Sequence, residues 1–130
     1  MNEKFIQNLD KLPADVRREF ALLANKYGEK KKQNTIQTDF LSFVKHVWPE
    51  FIEGKHHKEI ADKFNDIAKG KIKRLIINMP PRHTKSEFAS YLLPSWMVGR
   101  KPDLKIIQTT HTTELAIRFG RKAKNLIDTP

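Results

Sequence analysis

In the stretch Leu75-Ile76-Ile77-Asn78-Met79-Pro80-Pro81-Arg82-His83-Thr84-Lys85-Ser86-Glu87, a short apolar run gives way to a proline pair, a basic loop and the start of a helix. The run contains β-branched residues, is entered from Lys71, Lys73 and Arg74, and is closed by prolines that cannot donate to a ladder, so it reads as a buried strand. Beyond the loop, residues 85–93 read as a helix with Phe88, Ala89, Leu92 and Leu93 apolar. Pro94 lacks a backbone donor and is expected to kink or end it.

Downstream, Gly99 to Asp103 reads as a turn, residues 104–110 as a second strand, and 113–127 as a helix. In that helix Leu115, Ala116, Phe119, Ala123, Leu126 and Ile127 are expected inward, with Arg118, Arg121, Lys122 and Lys124 mostly outward. Upstream, Val16, Phe20, Leu23 and Tyr27 mark a helix over 13–27, with Pro13 in its first turn and Gly28 as its stop. Glu29-Lys30-Lys31-Lys32 reads as an exposed joint. Thr38 is expected to cap a helix carrying Phe40, Leu41, Phe43, Val44 and Val47, which ends before Pro49. Residues 56–69 predict a helix with Ile60, Phe64, Ile67 and Ala68 on one face and Gly70 as its stop.

Helices followed by strand, helix, strand, helix predict an α/β fold with the beginning of a parallel sheet. Two parallel strands make no stable sheet alone, and apolar runs of this kind imply cover on both faces. The expectation is therefore an incomplete domain, the N-terminal portion of a longer protein: residues 1–34 a helical arm and charged joint, residues 35–130 the first part of the α/β domain. The alternative is a small helical domain whose two apolar runs pair with another chain.

The 130 residues include 25 Lys+Arg against 15 Asp+Glu, a formal charge of +10, and no cysteine. Disulfides, thiolate zinc sites and cysteine nucleophiles are excluded, which fits a reducing cytoplasm. The apolar runs are far shorter than the roughly 20 residues of a membrane span, and Met1-Asn2-Glu3-Lys4-Phe5 is no secretory leader. Residues 71–130 carry 12 Lys+Arg and 4 Asp+Glu, a basic excess suited to nucleic acid or nucleotide phosphates. His46, His56, His57, His83 and His111 lack zinc-type spacing. His56 and His57 open a helix, where plain surface exposure is expected ahead of a structural or nucleotide-adjacent role. Trp48 and Trp96 lie beside prolines and read as packing anchors.

A strand-to-helix loop ending in Lys85-Ser86 is where phosphate-binding loops place those residues: helix-terminal N–H groups face the anion, a lysine reaches the terminal phosphates, and a hydroxyl joins the magnesium shell. The generic G-x-x-x-x-G-K-[ST] pattern is unmet, because Met79 and Thr84 occupy the glycine positions. A β-branched residue enters positive φ with difficulty, so the loop is expected to be helix-like or extended at Thr84.

The phrase from Lys73 to Glu87 closely resembles the ATPase-domain start of the large terminase subunit of tailed bacteriophages, where a Pro-Pro-Arg-His-x-Lys-Ser loop is a deviant Walker A motif. The likeness spans about residues 38 to 128 and includes His56-His57, Pro94-Ser95-Trp96, Gly99-Arg100-Lys101-Pro102, Thr110-His111-Thr112 and Leu115-Ala116 with Phe119-Gly120-Arg121. The resemblance implies a P-loop NTPase that hydrolyses ATP to drive double-stranded DNA into procapsids, in the cytoplasm of an infected bacterium. It implies Mg2+ as cofactor, a homo-oligomeric ring, no membrane, and the portal protein and small terminase subunit as partners. By position, Lys85 would contact the β and γ phosphates, Arg82 would add charge there, and Ser86 would ligate magnesium. Arg82, His83, Thr84, Lys85, Ser86 and Glu87 would together line the nucleotide, with backbone N–H groups from about His83 to Ser86 as the cradle. No apolar strand ending in Asp-Glu follows, so a Walker B motif is missing and the 130 residues alone are expected to be inactive. The alternative is a nonenzymatic basic nucleic-acid-binding or assembly module that keeps the loop as an anion site.

Overall fold

A computed structural model describes residues 12–128, which divide between Asn34 and Thr35 into two compact units. The regular elements among the described residues are all helical: α1 Ala14–Thr38, α2 Phe40–Val47, α3 Lys55–Ala68, a short α4 Lys85–Glu87, a π-helical stretch Phe88–Leu92, α5 Leu93–Arg100 and α6 Thr113–Ile127. None is long and apolar enough to cross a membrane.

The expected α/β fold with a parallel sheet is therefore corrected. Residues 75–79 and 104–110 are non-helical, but no strand forms among the described residues. Leu75, Ile77 and Met79 turn toward the helical core while Ile76 is 86% exposed, so the run keeps a period-two alternation without a partner. Ile107 is likewise 90% exposed. A parallel pairing needs a second strand alongside to satisfy its N–H and C=O groups; an apolar, β-branched run dictates an extended path and not the neighbour that completes a sheet.

In the first unit, the helix runs through Gly28 and the lysine run instead of stopping there. Glu, Lys and Gln are good helix formers, which offsets the roughly 1 kcal/mol cost of an interior glycine. Its apolar stripe is open: Leu23 is 59% and Tyr27 72% exposed.

The second unit is organised around Phe40. Its ring meets Phe64, Phe88 and Trp96 edge-on, with centroids 5.1, 5.4 and 5.4 Å apart. Val44, Ile60, Ala61 and Leu92 complete the buried cluster. Trp96 also donates its indole N–H to the Ile36 carbonyl at 2.9 Å, so it is the anchor its sequence setting predicts, whereas Trp48 remains 36% exposed.

Asp39, not Thr38, caps α2, because Thr38 is already the last residue of α1. Asp39 Oδ2 accepts from the Ser42 N–H at 2.8 Å, Asn65 Nδ2 donates to Asp39 Oδ1 at 2.8 Å, and Asn65 Oδ1 accepts from the Phe40 N–H at 2.8 Å. One amide thus ties the start of α2 to α3. Burial pushes the Asp39 carboxyl upward, but bonds from Ser42 and Asn65 and the Lys45 charge outweigh it and hold the group below its ordinary value. The cap's contribution is accordingly present above the usual carboxylate value and lost as pH falls through the lowered one. Asp39→Ala should cost about 1–2 kcal/mol at pH 7 in urea unfolding, with the gap to the parent closing in strong acid. A pH-independent gap would refute this account.

Gly70 closes α3 at φ 75 with the Lys71 N–H on the Asp66 carbonyl at 2.9 Å, the left-handed stop that its sequence position implies. Pro94 does not end the following helix. The turn before it widens, Leu93 N–H bonding to the Phe88 carbonyl, and Pro94 enters at the start of α5, where no N–H is required.

Candidate functional site

The loop is assembled at the junction between the docked run 75–79 and α4. Residues 80–87 line one open concavity of about 340 Å³, so Arg82, His83, Thr84, Lys85, Ser86 and Glu87 share a single pocket. The first i→i−4 bond of the helix is Phe88 N–H to the Thr84 carbonyl at 2.9 Å. The N–H groups of Lys85, Ser86 and Glu87 precede it and lie in the first turn, where a helix has no internal acceptors to offer.

The loop backbone overturns the expectation for Thr84. It is neither helix-like nor extended but left-handed, at φ 55 and ψ 6, and Arg82 is left-handed too at φ 65. For a β-branched residue this conformation costs on the order of 1–3 kcal/mol and persists only where surroundings impose it. Thr84 therefore takes, under load, the backbone shape that glycine would take freely.

Arg82 and Ser86 differ little in setting from a solvated loop, both being exposed, and Lys85 is half-buried with its ammonium 3.4 Å from the Met79 carbonyl. His83 Nδ1 donates to the Pro81 carbonyl at 3.0 Å, which braces the loop from within. Glu87 points to different work: Lys122 Nζ reaches both of its carboxylate oxygens at 2.9 Å and also lies 5.2 Å from the Tyr91 ring centroid. Lys122, expected outward on α6, turns inward and fastens α6 to the helix behind the loop. Arg118, Arg121 and Lys124 are exposed as expected, while Ala116 and Ile127, expected inward, are exposed.

Beneath the loop lies His57, which is 6% exposed and not the surface residue that a helix opening suggests. Gly54 N–H donates to His57 Nδ1 at 2.9 Å, so the neutral ring carries its proton on Nε2. Nε2 lies 2.7 Å from Thr84 Oγ1 and 3.0 Å from His56 Nε2. Burial first, then the neighbouring His56 and, least, His83, lower the His57 pKa below its ordinary value and outweigh the upward pull of Glu53. Glu53 is itself paired with Lys45 and, at 3.1 Å, with Lys58. The sequence did hold a signal for this placement: His57 precedes Ile60, Ala61 and Phe64 by three, four and seven positions, which puts it on the inner stripe of α3.

The residues fit a phosphate group well: positive charge, first-turn N–H donors and a left-handed backbone converge on one concavity. For magnesium the loop offers the Ser86 hydroxyl, and no cluster among the described residues could hold a metal by itself. An ion held chiefly by phosphate oxygens and water asks for little more from the protein. The chain matches no family model, no curated protein and no solved structure.

Proposed function

We propose that loop 80–87 binds the phosphates of ATP with Mg2+, and that the chain is the ATP-binding part of a motor of the phage large-terminase type. Such a motor packages double-stranded DNA into procapsids in the infected host's cytoplasm, as a homo-oligomeric ring that meets the portal protein and small terminase subunit. The observation that carries the reading is the left-handed Thr84 immediately ahead of Lys85 and Ser86, which gives a glycine-free loop the backbone shape an anion cradle needs. Lys85 and Arg82 supply charge to the terminal phosphates, and the N–H groups of the first turn orient them. Ser86 supplies one oxygen to the metal. When bound, Mg2+ neutralises phosphate charge; the chain's own share is to hold and align the triphosphate.

The engagement of Glu87 by Lys122 favours a second reading, an assembly module with an anion site and no hydrolysis, since it withdraws the loop's own carboxylate from metal or water. Competition against a fluorescent ATP analogue separates the two. ATP and ADP should displace the analogue at least about tenfold more effectively than AMP, because the phosphates beyond the first carry the charge-assisted contacts. AMP competing as well as ATP would overturn the nucleotide reading, and inorganic phosphate competing as well as ATP would favour the bare anion site.

A further inference from the structure

The strained residue of the loop is held from outside the loop. Thr84 Oγ1 donates its proton to the His83 carbonyl at 2.7 Å, so what it offers His57 is a lone pair, and the Nε2–H of His57 fills it at 2.7 Å. The directions along this chain are thereby set: Gly54 N–H to Nδ1, Nε2–H to Oγ1, Oγ1–H to the His83 carbonyl, with His56 Nε2 a second and longer acceptor for the same Nε2–H at 3.0 Å. The imidazole cannot swing to follow a relaxing loop. It is wedged between Phe51 and Phe88, with ring centroids at 4.7 and 5.1 Å, and its far side is fixed by the backbone of Gly54. A Cβ at Gly54 would lie 2.9 Å from the His56 ring and 3.4 Å from His57 Nδ1, so a side chain there would displace the His56 ring. A rigid point on α3 therefore grips the one hydroxyl whose position reports the backbone turn at Thr84.

We propose that His57 is a positioning residue that locks Thr84 in the left-handed conformation and so presets the loop for phosphate. Its functional consequence rests on the phosphate-binding reading; the lock itself does not. Glycine at position 84 would adopt the same turn unaided, so the need for His57 should vanish with the Thr84 side chain. The groups facing the imidazole are His56, His83 and Glu53, and none of them replaces the Nε2–H donor toward Thr84.

The test is a double-mutant cycle on the 130-residue chain with His57→Phe, which keeps an aromatic ring between Phe51 and Phe88 but has no nitrogen, and Thr84→Gly. In the free chain, the 13Cα and 13Cβ shifts of Thr84 should leave the left-handed range in His57→Phe. Affinity for a non-hydrolysable Mg-ATP analogue should fall roughly tenfold when His57→Phe is made in the parent, and less than about twofold when it is made in the Thr84→Gly background. Unchanged Thr84 shifts overturn the lock, and an equal loss in both backgrounds reduces His57 to packing. If His57→Phe does not fold, Thr84→Val removes the acceptor while keeping the branched shape, and it must show the same tenfold loss; unaltered affinity overturns the proposal. If no variant or parent binds the analogue, the phosphate reading fails, and the Thr84 shifts alone decide the lock.

Discussion

A chain carrying Lys85→Ala should bind an ATP analogue roughly 10- to 100-fold more weakly than the parent, as measured by titration calorimetry. The range follows from one charge-assisted hydrogen bond worth about 1.5–3 kcal/mol, at 1.4 kcal/mol per tenfold. The lysine is well placed for such an effect. Its ammonium already folds back over the loop to the Met79 carbonyl at 3.4 Å, a long and weak contact that a phosphate oxygen would displace with little loss. Truncation should leave folding nearly untouched, since a half-exposed side chain away from caps and core rarely contributes more than about 0.5 kcal/mol. Unaltered thermal unfolding together with weakened binding is the expected pair of results. Equal binding by parent and variant would remove Lys85 from the site.

Phe40→Ala should be the most damaging single change to the folded unit, costing about 3–5 kcal/mol in urea unfolding. The ring is fully buried and is the shared partner of three edge-on aromatic contacts, from α3, the π-helical stretch and α5. Its loss opens a cavity where those elements converge and unmakes the geometry of all three pairs together. Domains of this size hold only about 5–15 kcal/mol of net stability, so the loss would remove a large share of it. A cost under about 1 kcal/mol would mean that the surrounding helices collapse into the space, and that Phe40 is not the hub.

What is legible in the sequence follows the physics of local signals. The helices with a sustained apolar stripe, such as Ile60, Phe64 and Ile67 on α3, are readable because the helical period is written into the chain itself. So is the clustering of Arg82 to Glu87, since a loop leading into a helix brings successive residues around one concavity. The cap at α2 falls one position later than its sequence suggests because Thr38 and Asp39 are both competent, and the role goes to whichever is not already helical. The departures at Thr84 and His57 share a cause. A left-handed threonine is uncommon, and the side chain that grips it here, His57, lies 27 positions upstream. The two apolar runs depart for a different reason: their composition describes how each backbone runs and leaves open what, if anything, pairs with it.

The half-docked run 75–79 carries a colloidal consequence. A β-branched segment with one side turned to water is a template for intermolecular pairing, and such templates are commonly guarded at their flanks. Exposed Lys73 and Arg74 stand at one end and Pro80-Pro81 at the other, so an incoming strand would meet charge repulsion where it begins and missing donors where it ends. The prolines that lead into loop 80–87 thus also stand as a barrier to fibrillar growth along the same backbone.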